Sequence, residues 1–326
     1  MIAVVGAAGT IGRRVTRFLE DWGVPHTRRD ARLEGDERID AGNANDVARA
    51  LNGCSVCVNC VDYRLNVEVM RGALGAGTHY VDLGGLYHVT RQQLELDPEF
   101  RAAGLTAILG IGSAPGKTNL LASAAIERLG SEPRKLEIWA VARDPAANGH
   151  PFPAPYSVRT LLDELHMRPV VVTGGNVTEV EPLSGDAERR FPNPIGPAHG
   201  IYTLHSELAT LPARYPTLEE ASFRLCLAPG LLEKLLALRE GDEPAPYEQS
   251  EAAVAVHLVE VENGGRVTGM TVTRGGSARS TAEPAARAAV ELAEGRLSAP
   301  GVQAPEQAIA DAEGFLSLLD TEVRFE

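Results

Sequence analysis

The sequence has 326 residues, 44% hydrophobic and 23% charged, a composition that excludes a collagen, a coiled coil and a disordered chain. This length exceeds one ordinary domain, so we expect two domains. The formal net charge of −13 disfavours binding to nucleic acid or to an anionic membrane, because both need a basic surface. We therefore expect a small-molecule partner.

The first residues, MIAVVGAAG, begin at once with a strand-like run. They lack the basic segment and the longer apolar core of a signal peptide. No run reaches the roughly 18 apolar residues of a membrane-spanning helix. We expect a cytoplasmic protein.

Strands and helices alternate in the first part of the sequence. Residues 2–6 form an apolar run, a glycine turn follows, and the next residues have helical spacing. Further strands are expected near 24–28, 38–41, 55–61, 79–83 and 106–111, and helices over 45–51, 66–75 and 92–103. The alternation predicts an α/β fold, a Rossmann doubly wound parallel sheet covered on both faces.

Three of the four cysteines, Cys54, Cys57 and Cys60, have the spacing of an iron–sulfur run. Their segment, SVCVNCV, is apolar and β-branched and has no glycine or proline with which to form a ligand loop. A strand would point Cys57 and Cys60 to opposite faces. We interpret them as buried thiols and expect no metal.

Gly6, Gly9 and Gly12 punctuate the first strand-to-helix turn, where a Rossmann sheet places a dinucleotide pyrophosphate on a helix N-terminus. The spacing GxxGxxG is a variant seen with NADP-using and extended short-chain folds. We expect the cofactor to contact the turn and later strand ends, through Gly6, Gly9, Thr10, Ile11, Gly12, Asp40, Ala41, Asn59 and Cys60.

The end of the second predicted strand reads HTRRD. Arg28 and Arg29 are suited to clamp a 2′-phosphate, whereas Asp30 keeps NAD open as the cofactor. We favour NADP over NAD. The alternative is that both arginines are solvated surface residues.

Two familiar motifs fail on spacing. GIGSAPGKTN resembles a Walker A loop, but Ile111 stands where the first glycine is required. No tyrosine is followed by a lysine four residues later, as the short-chain dehydrogenase mechanism needs.

After residue 134 the pattern changes. KLEIWAVAR, RPVVVTGGNVTEVEPL and VAVHLVEVENGGRVTGMTVTR contain alternating strands, and Gly-Gly pairs join them, which predicts hairpins of an antiparallel sheet. Ser280, with Glu283 three residues on, is expected to open a helix over 282–294 as a capping box. A last helix is expected near 305–319.

Five segments, in this order over most of the chain, resemble the saccharopine dehydrogenase-like family, nearest to its lysine 6-dehydrogenase members. They are NVEVMRGALGAGTHYVDLGG, GIGSAPGKTNLLA, PYSVRTLLDE, IYTLHSELATLP and GVQAPEQAI. The resemblance implies a Rossmann domain of residues 1–130 and 280–326. It is interrupted by an α+β substrate-binding and dimerisation domain, residues 131–279, with a mainly antiparallel sheet, in a homodimer. It also implies hydride exchange between NAD(P) and a C–N bond of an amino acid or secondary amine.

Such chemistry needs a group that takes or gives the N–H proton. Tyr80 and Asp82 share one face of a strand at its carboxyl end, where sites of doubly wound sheets lie. Gly84 and Gly85 let the backbone approach a ligand closely. We predict that Asp82 anchors the substrate ammonium or accepts its proton; capping of a turn is the alternative.

In YTLHSEL, strand alternation puts His205 and Glu207 on one face, as an orienting pair for proton transfer, with a role at a dimer interface as the alternative. Asn119, Tyr156 and Arg159 are the other predicted substrate contacts, and Arg159 is suited to hold a carboxylate. The alternative function is a noncatalytic NADP-sensing Rossmann protein, because the Tyr–Lys pair is missing.

Overall fold

A computed structural model describes residues 1–147, 150, 152–239, 244 and 247–326. The chain divides into two compact units. The first comprises Met1–Lys117 and Thr281–Leu319, and the second comprises Thr118–Ser280 and Asp320–Glu326. Residues 118–130 and the C-terminal segment therefore fall in the second unit, outside the 131–279 that the sequence assigned to it.

The strands and helices are numbered in chain order. The strands are β1 (Ile2–Val5), β2 (His26–Arg29), β3 (Val56–Asn59), β4 (His79–Asp82), β5 (Thr106–Ile108), β6 (Lys135–Arg143), β7 (Val170–Thr173), β8 (Asn176–Glu179), β9 (Ala187–Arg190), β10 (Pro197–Tyr202), β11 (Glu220–Cys226), β12 (Val254–Glu262), β13 (Arg266–Arg274), β14 (Gly301–Gln303) and β15 (Glu322–Phe325). The helices are α1 (Thr10–Asp21), α2 (Ala44–Ala50), α3 (Asn66–Ala76), α4 (Tyr87–Leu94), α5 (Asp97–Ala102), α6 (Lys117–Leu129), α7 (Val158–His166), α8 (Glu207–Arg214), α9 (Leu231–Leu236), α10 (Gly276–Ala293), α11 (Pro305–Ala308) and α12 (Ala312–Ser317).

The first unit is built on a parallel sheet in the order β14-β5-β4-β3-β1-β2. Strands β1 and β3 are buried along their whole length, as expected when helices cover both faces of a parallel sheet. β2 and β3 lie on opposite sides of β1, so the order in which successive strands are added to the sheet reverses at β1. Ligands of doubly wound folds bind at such a switch point, and the predicted Rossmann fold is confirmed.

Two expectations for the first unit were wrong. Residues 38–41 form no strand: the preceding turn folds back onto Asp30, whose amide donates to the carbonyl oxygen of Glu37 while its own carbonyl accepts from Ile39. The helix expected over 92–103 is two helices, α4 and α5. Pro98 lies in the first turn of α5, where a proline starts a helix but cannot continue one from the preceding turn.

The second unit is built on a mixed sheet. Its main path runs β15-β13-β12-β6-β11-β10-β9, and β7 pairs with both β11 and β8. The pairings among the described residues are antiparallel except β6 with β11. The two hairpins expected across Gly-Gly turns are confirmed as β7–β8 and β12–β13.

Three expectations in the rest of the chain were also wrong. Ser280 lies inside α10, which begins four residues earlier because the side chain of Gln249 accepts the amide hydrogen of Ser277. The helix expected near 305–319 is two short helices, α11 and α12. YTLHSEL is not a strand, since β10 ends at Tyr202 and α8 begins at Glu207.

No helix among the described residues has the length and hydropathy required to cross a bilayer.

Within the first unit, Pro115 in the segment after β5 packs against two glycines. Gly84 and Gly110 have φ of +111° and +65°, and a Cβ atom on either would lie 2.5 or 2.8 Å from Cγ of Pro115. The proline ring therefore fits only because both positions are glycine and have a hydrogen atom in place of a side chain. The two glycines therefore hold this segment close to the ends of β4 and β5.

We expect Gly110→Ala to destabilise the protein more than Gly104→Ala. Gly104 has nearly the same φ, +67°, but a methyl group there would meet no described atom within 4 Å. The control variant should lose about 1 kcal/mol through backbone strain alone. Gly110→Ala should lose about 1 to 3 kcal/mol more, because the methyl group overlaps Pro115. Denaturant unfolding measures both, and equal losses would contradict the proposed contact.

Candidate functional site

The glycine turn packs directly on the end of β3. A Cβ atom on Gly6 would lie 2.8 Å from the carbonyl carbon of Cys60, and one on Gly12 would lie 2.1 Å from the carbonyl oxygen of Gly6. The amide of Cys60 donates to Val5, at 2.8 Å. The turn therefore requires glycine at both positions, and it joins the predicted cofactor residues Asn59 and Cys60 to the end of β1.

The start of α1 has the features of an anion site. The first helical hydrogen bond is donated by Arg13 to Gly9, so the amides of Thr10, Ile11 and Gly12 precede it. Gly9 provides no capping side chain, and the first turn contains no acidic residue. These amides and the positive end of the helix suit the pyrophosphate of a dinucleotide.

The two arginines expected to bind a 2′-phosphate both have other partners. Arg28 pairs with Glu37 at 3.0 Å. Arg29 donates to the carbonyl oxygens of Ala50, at 3.1 Å, and of Arg28, at 2.8 Å.

Asp40 and Ala41 lie just beyond the turn that follows β2. Ala41 packs against the apolar core of the first unit. Asp40 borders an open cleft of about 470 Å³, whose walls are Ala31, Gly35, Arg38, Ile39, Asp40 and Asp46. The cleft volume is in the range of small-molecule sites.

Asp82 is fully buried at the carboxyl end of β4. One carboxylate oxygen accepts the amides of Gly84, at 2.9 Å, and Gly110, at 2.6 Å. The other accepts from Tyr80, at 3.1 Å, and Gln93, at 2.6 Å. Burial raises the pKa of Asp82, although all four hydrogen bonds oppose the shift. The carboxylate thus joins β4 to the segments after β4 and β5 and to α4.

This carboxylate belongs to a larger buried polar network. The amide group of Asn59 donates to Tyr80 and to Asn66, both at 2.9 Å. Asn66 in turn donates to the carbonyl oxygen of Gly84, at 3.2 Å. The network therefore fixes the ends of β3 and β4 and the position of Gly84 and its neighbour Gly85. Buried polar groups that satisfy one another in this way hold a single arrangement.

His205 forms the centre of a second cluster, which lies in the second unit. Its imidazole is 5% exposed and stacks on Phe223, with ring centroids 3.6 Å apart. Nε2 lies 3.7 Å from Glu164 and Nδ1 lies 3.5 Å from Glu207, and both carboxyl groups are buried. The predicted pair of His205 and Glu207 is thus brought together, by the start of a helix and not by strand alternation.

Burial lowers the pKa of His205, but the carboxylates of Glu164 and Glu207 outweigh it and raise the pKa to about 9. The imidazole is therefore protonated at neutral pH. Among the described residues, none forms a hydrogen bond with Nε2 of His205 or with Oε2 of Glu207. Unsatisfied buried polar atoms are rare in folded proteins and are often found where a ligand binds or a proton moves.

Tyr156 and Thr118 extend the cluster at its two carboxylates. The Tyr156 hydroxyl donates to Glu164, and burial and this carboxylate raise the pKa of Tyr156 well above its usual value. The Thr118 hydroxyl donates to Glu207, at 2.8 Å.

The two remaining predicted substrate contacts lie on different helices. Asn119 is buried on α6, beside Thr118, and donates to Thr210 at 3.4 Å. Arg159 lies on α7 and is exposed.

The sequence left several of these residues unassigned. Glu164 carried a usable signal: Val158, Leu161 and Leu165 form the buried stripe of α7, and Glu164 lies three residues after Leu161 on the same side. A carboxylate at an apolar position of an amphipathic helix is unusual and indicates a buried partner. Gln93, Asn66 and Thr118 carried no such signal, because their partners are distant in sequence.

The fold and the two clusters define a class: a Rossmann unit suited to a dinucleotide, joined in one chain to a mixed-sheet unit with a buried acid–base cluster. Residues 2–108 match the family model of the saccharopine dehydrogenase NADP binding domain. The whole chain superimposes on saccharopine dehydrogenase (L-Glu forming) from Saccharomyces cerevisiae with a TM-score of 0.69. That match covers 100% of this chain and 99% of the other at 14% identity, and it shows a shared fold.

A carboxyaminopropylagmatine dehydrogenase from Synechocystis sp. is 24% identical over 208 residues, 61% of this chain and 52% of the relative. The chain thus spans about half the length of that relative. The matches confirm the resemblance inferred from the sequence: residues 2–108 match the saccharopine dehydrogenase NADP binding domain, and the chain shares the fold of a saccharopine dehydrogenase.

The raised pKa of His205 predicts a pH-dependent contribution to stability. An unfolded histidine has a pKa near 6.5, so the imidazolium stabilises the folded state fully below that pH and the contribution is lost as pH rises through about 9. The loss should be about 3 kcal/mol at most. Unfolding free energies of wild type and His205→Gln, measured at pH 6 and pH 9.5, should converge at the higher pH. A constant difference would contradict the assignment.

Asp82→Asn should lower the unfolding free energy by about 1 to 3 kcal/mol, because an amide group places a donor against one of the buried donors that now bind the carboxylate. Asp62→Asn is the matched control. Asp62 is one-third exposed and accepts from Arg64, so its loss should stay within about 0.5 kcal/mol. Similar losses in the two variants would show that the Asp82 network adds little.

Proposed function

We propose that the chain is an NADP-dependent oxidoreductase that acts on a C–N bond of an amino acid or a secondary amine. Three supports combine: the match of residues 2–108 to an NADP binding domain, the glycine turn with its uncapped helix, and the acid–base cluster around His205. The expected homodimer stays a prediction.

The residues of the first unit fit a dinucleotide. The first turn of α1 provides backbone amides and contains no acidic residue, and Gly9 adds no capping side chain that would compete for them. A bound nicotinamide would supply the hydride donor or acceptor. The chain itself must then provide the proton chemistry.

The single observation that carries the proposal is the position of His205 between two buried carboxylates. Reduction of an imine needs an acid, and oxidation of an amine needs a base at the same place. An imidazole with a pKa of about 9 is a competent acid at neutral pH, and after losing its proton it serves as the base. Glu207 and Glu164 lie beside the two ring nitrogens and stabilise the imidazolium electrostatically, and the Tyr156 phenol, which keeps its proton, donates to Glu164.

The charge of this cluster favours a cationic substrate. With His205 protonated, its formal charge together with Glu164 and Glu207 is −1, and an uncompensated buried charge is costly. A substrate ammonium would balance it. Amines of this kind include lysine, saccharopine and carboxyaminopropylagmatine, the last two named by the relatives of this chain.

Asp82 is proposed in a supporting role. Both of its oxygens already accept two hydrogen bonds, so anchoring an ammonium would require breaking the network that fixes Gly84 and Gly110. We therefore propose that Asp82 and Tyr80 position the strand ends, and that proton transfer belongs to His205.

We expect His205→Gln to lower kcat by about 10²- to 10⁴-fold, the usual contribution of a general acid–base group, with the Kd for NADPH unchanged. Nicotinamide absorbance, recorded with a panel of amines and with ketoacid–amine pairs, measures turnover. Amine oxidation by wild type should rise with pH towards 9, as the imidazole loses its proton, and this rise should be absent in the variant.

His199→Gln is the matched control. His199 also lies between two carboxylates, 3.2 Å from Asp186 and 3.5 Å from Glu188, but it is 65% exposed and should not affect turnover. Normal turnover by His205→Gln would remove His205 from the mechanism. Binding of NADPH without turnover on any member of the panel would instead support a noncatalytic sensor.

A further inference from the structure

Asp30 stands at the end of β2, where NAD-binding folds place the acidic residue that accepts the ribose 2′-hydroxyl. Here the carboxylate is only 6% exposed. Oδ1 accepts from the amide and Nε of Arg32, at 2.9 and 3.0 Å. Oδ2 accepts from the amide of Ala8, at 3.0 Å, and from Nη2 of Arg32, at 3.2 Å. A carboxylate has about four acceptor positions, so the sites that a ribose hydroxyl would use are filled.

Ala8 belongs to the glycine turn, so Asp30 ties that turn to the segment following β2. Burial raises the pKa of Asp30, but its hydrogen bonds with Arg32 and Ala8 outweigh this and the pKa lies below its usual value. The carboxylate stays ionised at neutral pH and keeps its partner in place.

Because Asp30 binds both Ala8 and Arg32, the Arg32 side chain lies beside the glycine turn. This side chain is 65% exposed, and Nη2 lies 3.6 Å from the position of a Cβ atom built on Gly9. Two of the five guanidinium N–H groups are directed at Asp30, which leaves about three for a ligand. A guanidinium with a fixed orientation and free donors matches a phosphate group well.

Arg28 and Arg29, which precede Asp30, also use two donors each, but neither lies within 4 Å of the position of a Cβ atom built on Gly9. Arg28 donates from Nε and Nη2 to both carboxylate oxygens of Glu37, at 3.2 and 3.0 Å. Arg29 donates to two backbone carbonyl oxygens. Ala31, the residue between Asp30 and Arg32, instead lines the open cleft described above, together with the exposed Arg38. The open cleft is therefore bordered by Ala31, the residue next to Arg32.

We propose that Arg32, held by Asp30, binds the 2′-phosphate of NADP and selects this cofactor over NAD, in place of Arg28 and Arg29. The inference rests on the proposed function, because it assumes a dinucleotide on the glycine turn. Asp30 is then a support for the arginine and not a ribose ligand.

Calorimetric titration with adenosine 2′,5′-bisphosphate and with 5′-AMP tests this without any turnover, since the two probes differ by the 2′-phosphate. Arg32→Gln keeps a donor for Asp30 but removes the charge. We expect it to weaken binding of the bisphosphate by about 10- to 100-fold, the range of a lost charge-assisted interaction, and to leave 5′-AMP unchanged. Fluorescence titration with NADPH and NADH should show the same selectivity.

Arg28→Gln and Arg29→Gln are the matched controls, and both should bind the bisphosphate like wild type. Thermal unfolding of every variant shows whether the fold is retained, and Arg32→Lys should recover part of the affinity because it restores the charge. If a control variant lost affinity for the bisphosphate while Arg32→Gln bound it like wild type, the role of Arg32 would be contradicted. The proposed function would not be affected by that result. A folded wild-type protein that binds neither NADPH nor NADH would overturn the proposed function and this inference with it.

Discussion

The buried carboxylate of Asp82 is the constraint on which the carboxyl ends of β4 and β5 in the first unit depend. A carboxyl group removed from water is stable only when donors surround it, and here the donors come from four separate parts of the chain. The four hydrogen bonds that Asp82 accepts therefore fix the positions of their donors relative to one another. These donors are Tyr80, Gly84, Gln93 and Gly110. Pro115 then packs on the two glycines, and the segment that leads into α6 follows from that contact.

The cluster around His205 uses buried charge differently. The Asp82 network satisfies its carboxylate completely, which suits a supporting element. At His205, the nearest carboxylate oxygens are 3.5 and 3.7 Å away, beyond good hydrogen-bonding distance, and one oxygen of Glu207 has no partner among the described residues. A group that must exchange a proton or meet a ligand needs such unused capacity. This contrast is the reason for proposing His205, and not Asp82, as the proton-transfer residue.

Particular residues show how far the sequence could be interpreted. Gly6, Gly9 and Gly12 indicated the tight strand-to-helix turn because backbone clearance depends on local spacing, and the Gly-Gly pairs indicated the hairpins for the same reason. His205 and Glu207 were chosen correctly as neighbours, but through a strand that does not form. Arg28 and Arg29 were natural candidates for a 2′-phosphate, yet Glu37 and Ala50, brought close by the turn and by α2, engage them.

The sequence by itself determined the alternation of strands and helices, the Rossmann class of the first unit and the antiparallel hairpins of the second, because these follow from local periodicity and turn residues. Only the tertiary structure decided which polar side chains are buried together. Asp82 with Gln93, His205 with Glu164 and Asp30 with Ala8 are pairs separated by 11 to 41 residues. Whether a carboxylate is a support or a reactive group depends on how many donors surround it, and that number is set by packing.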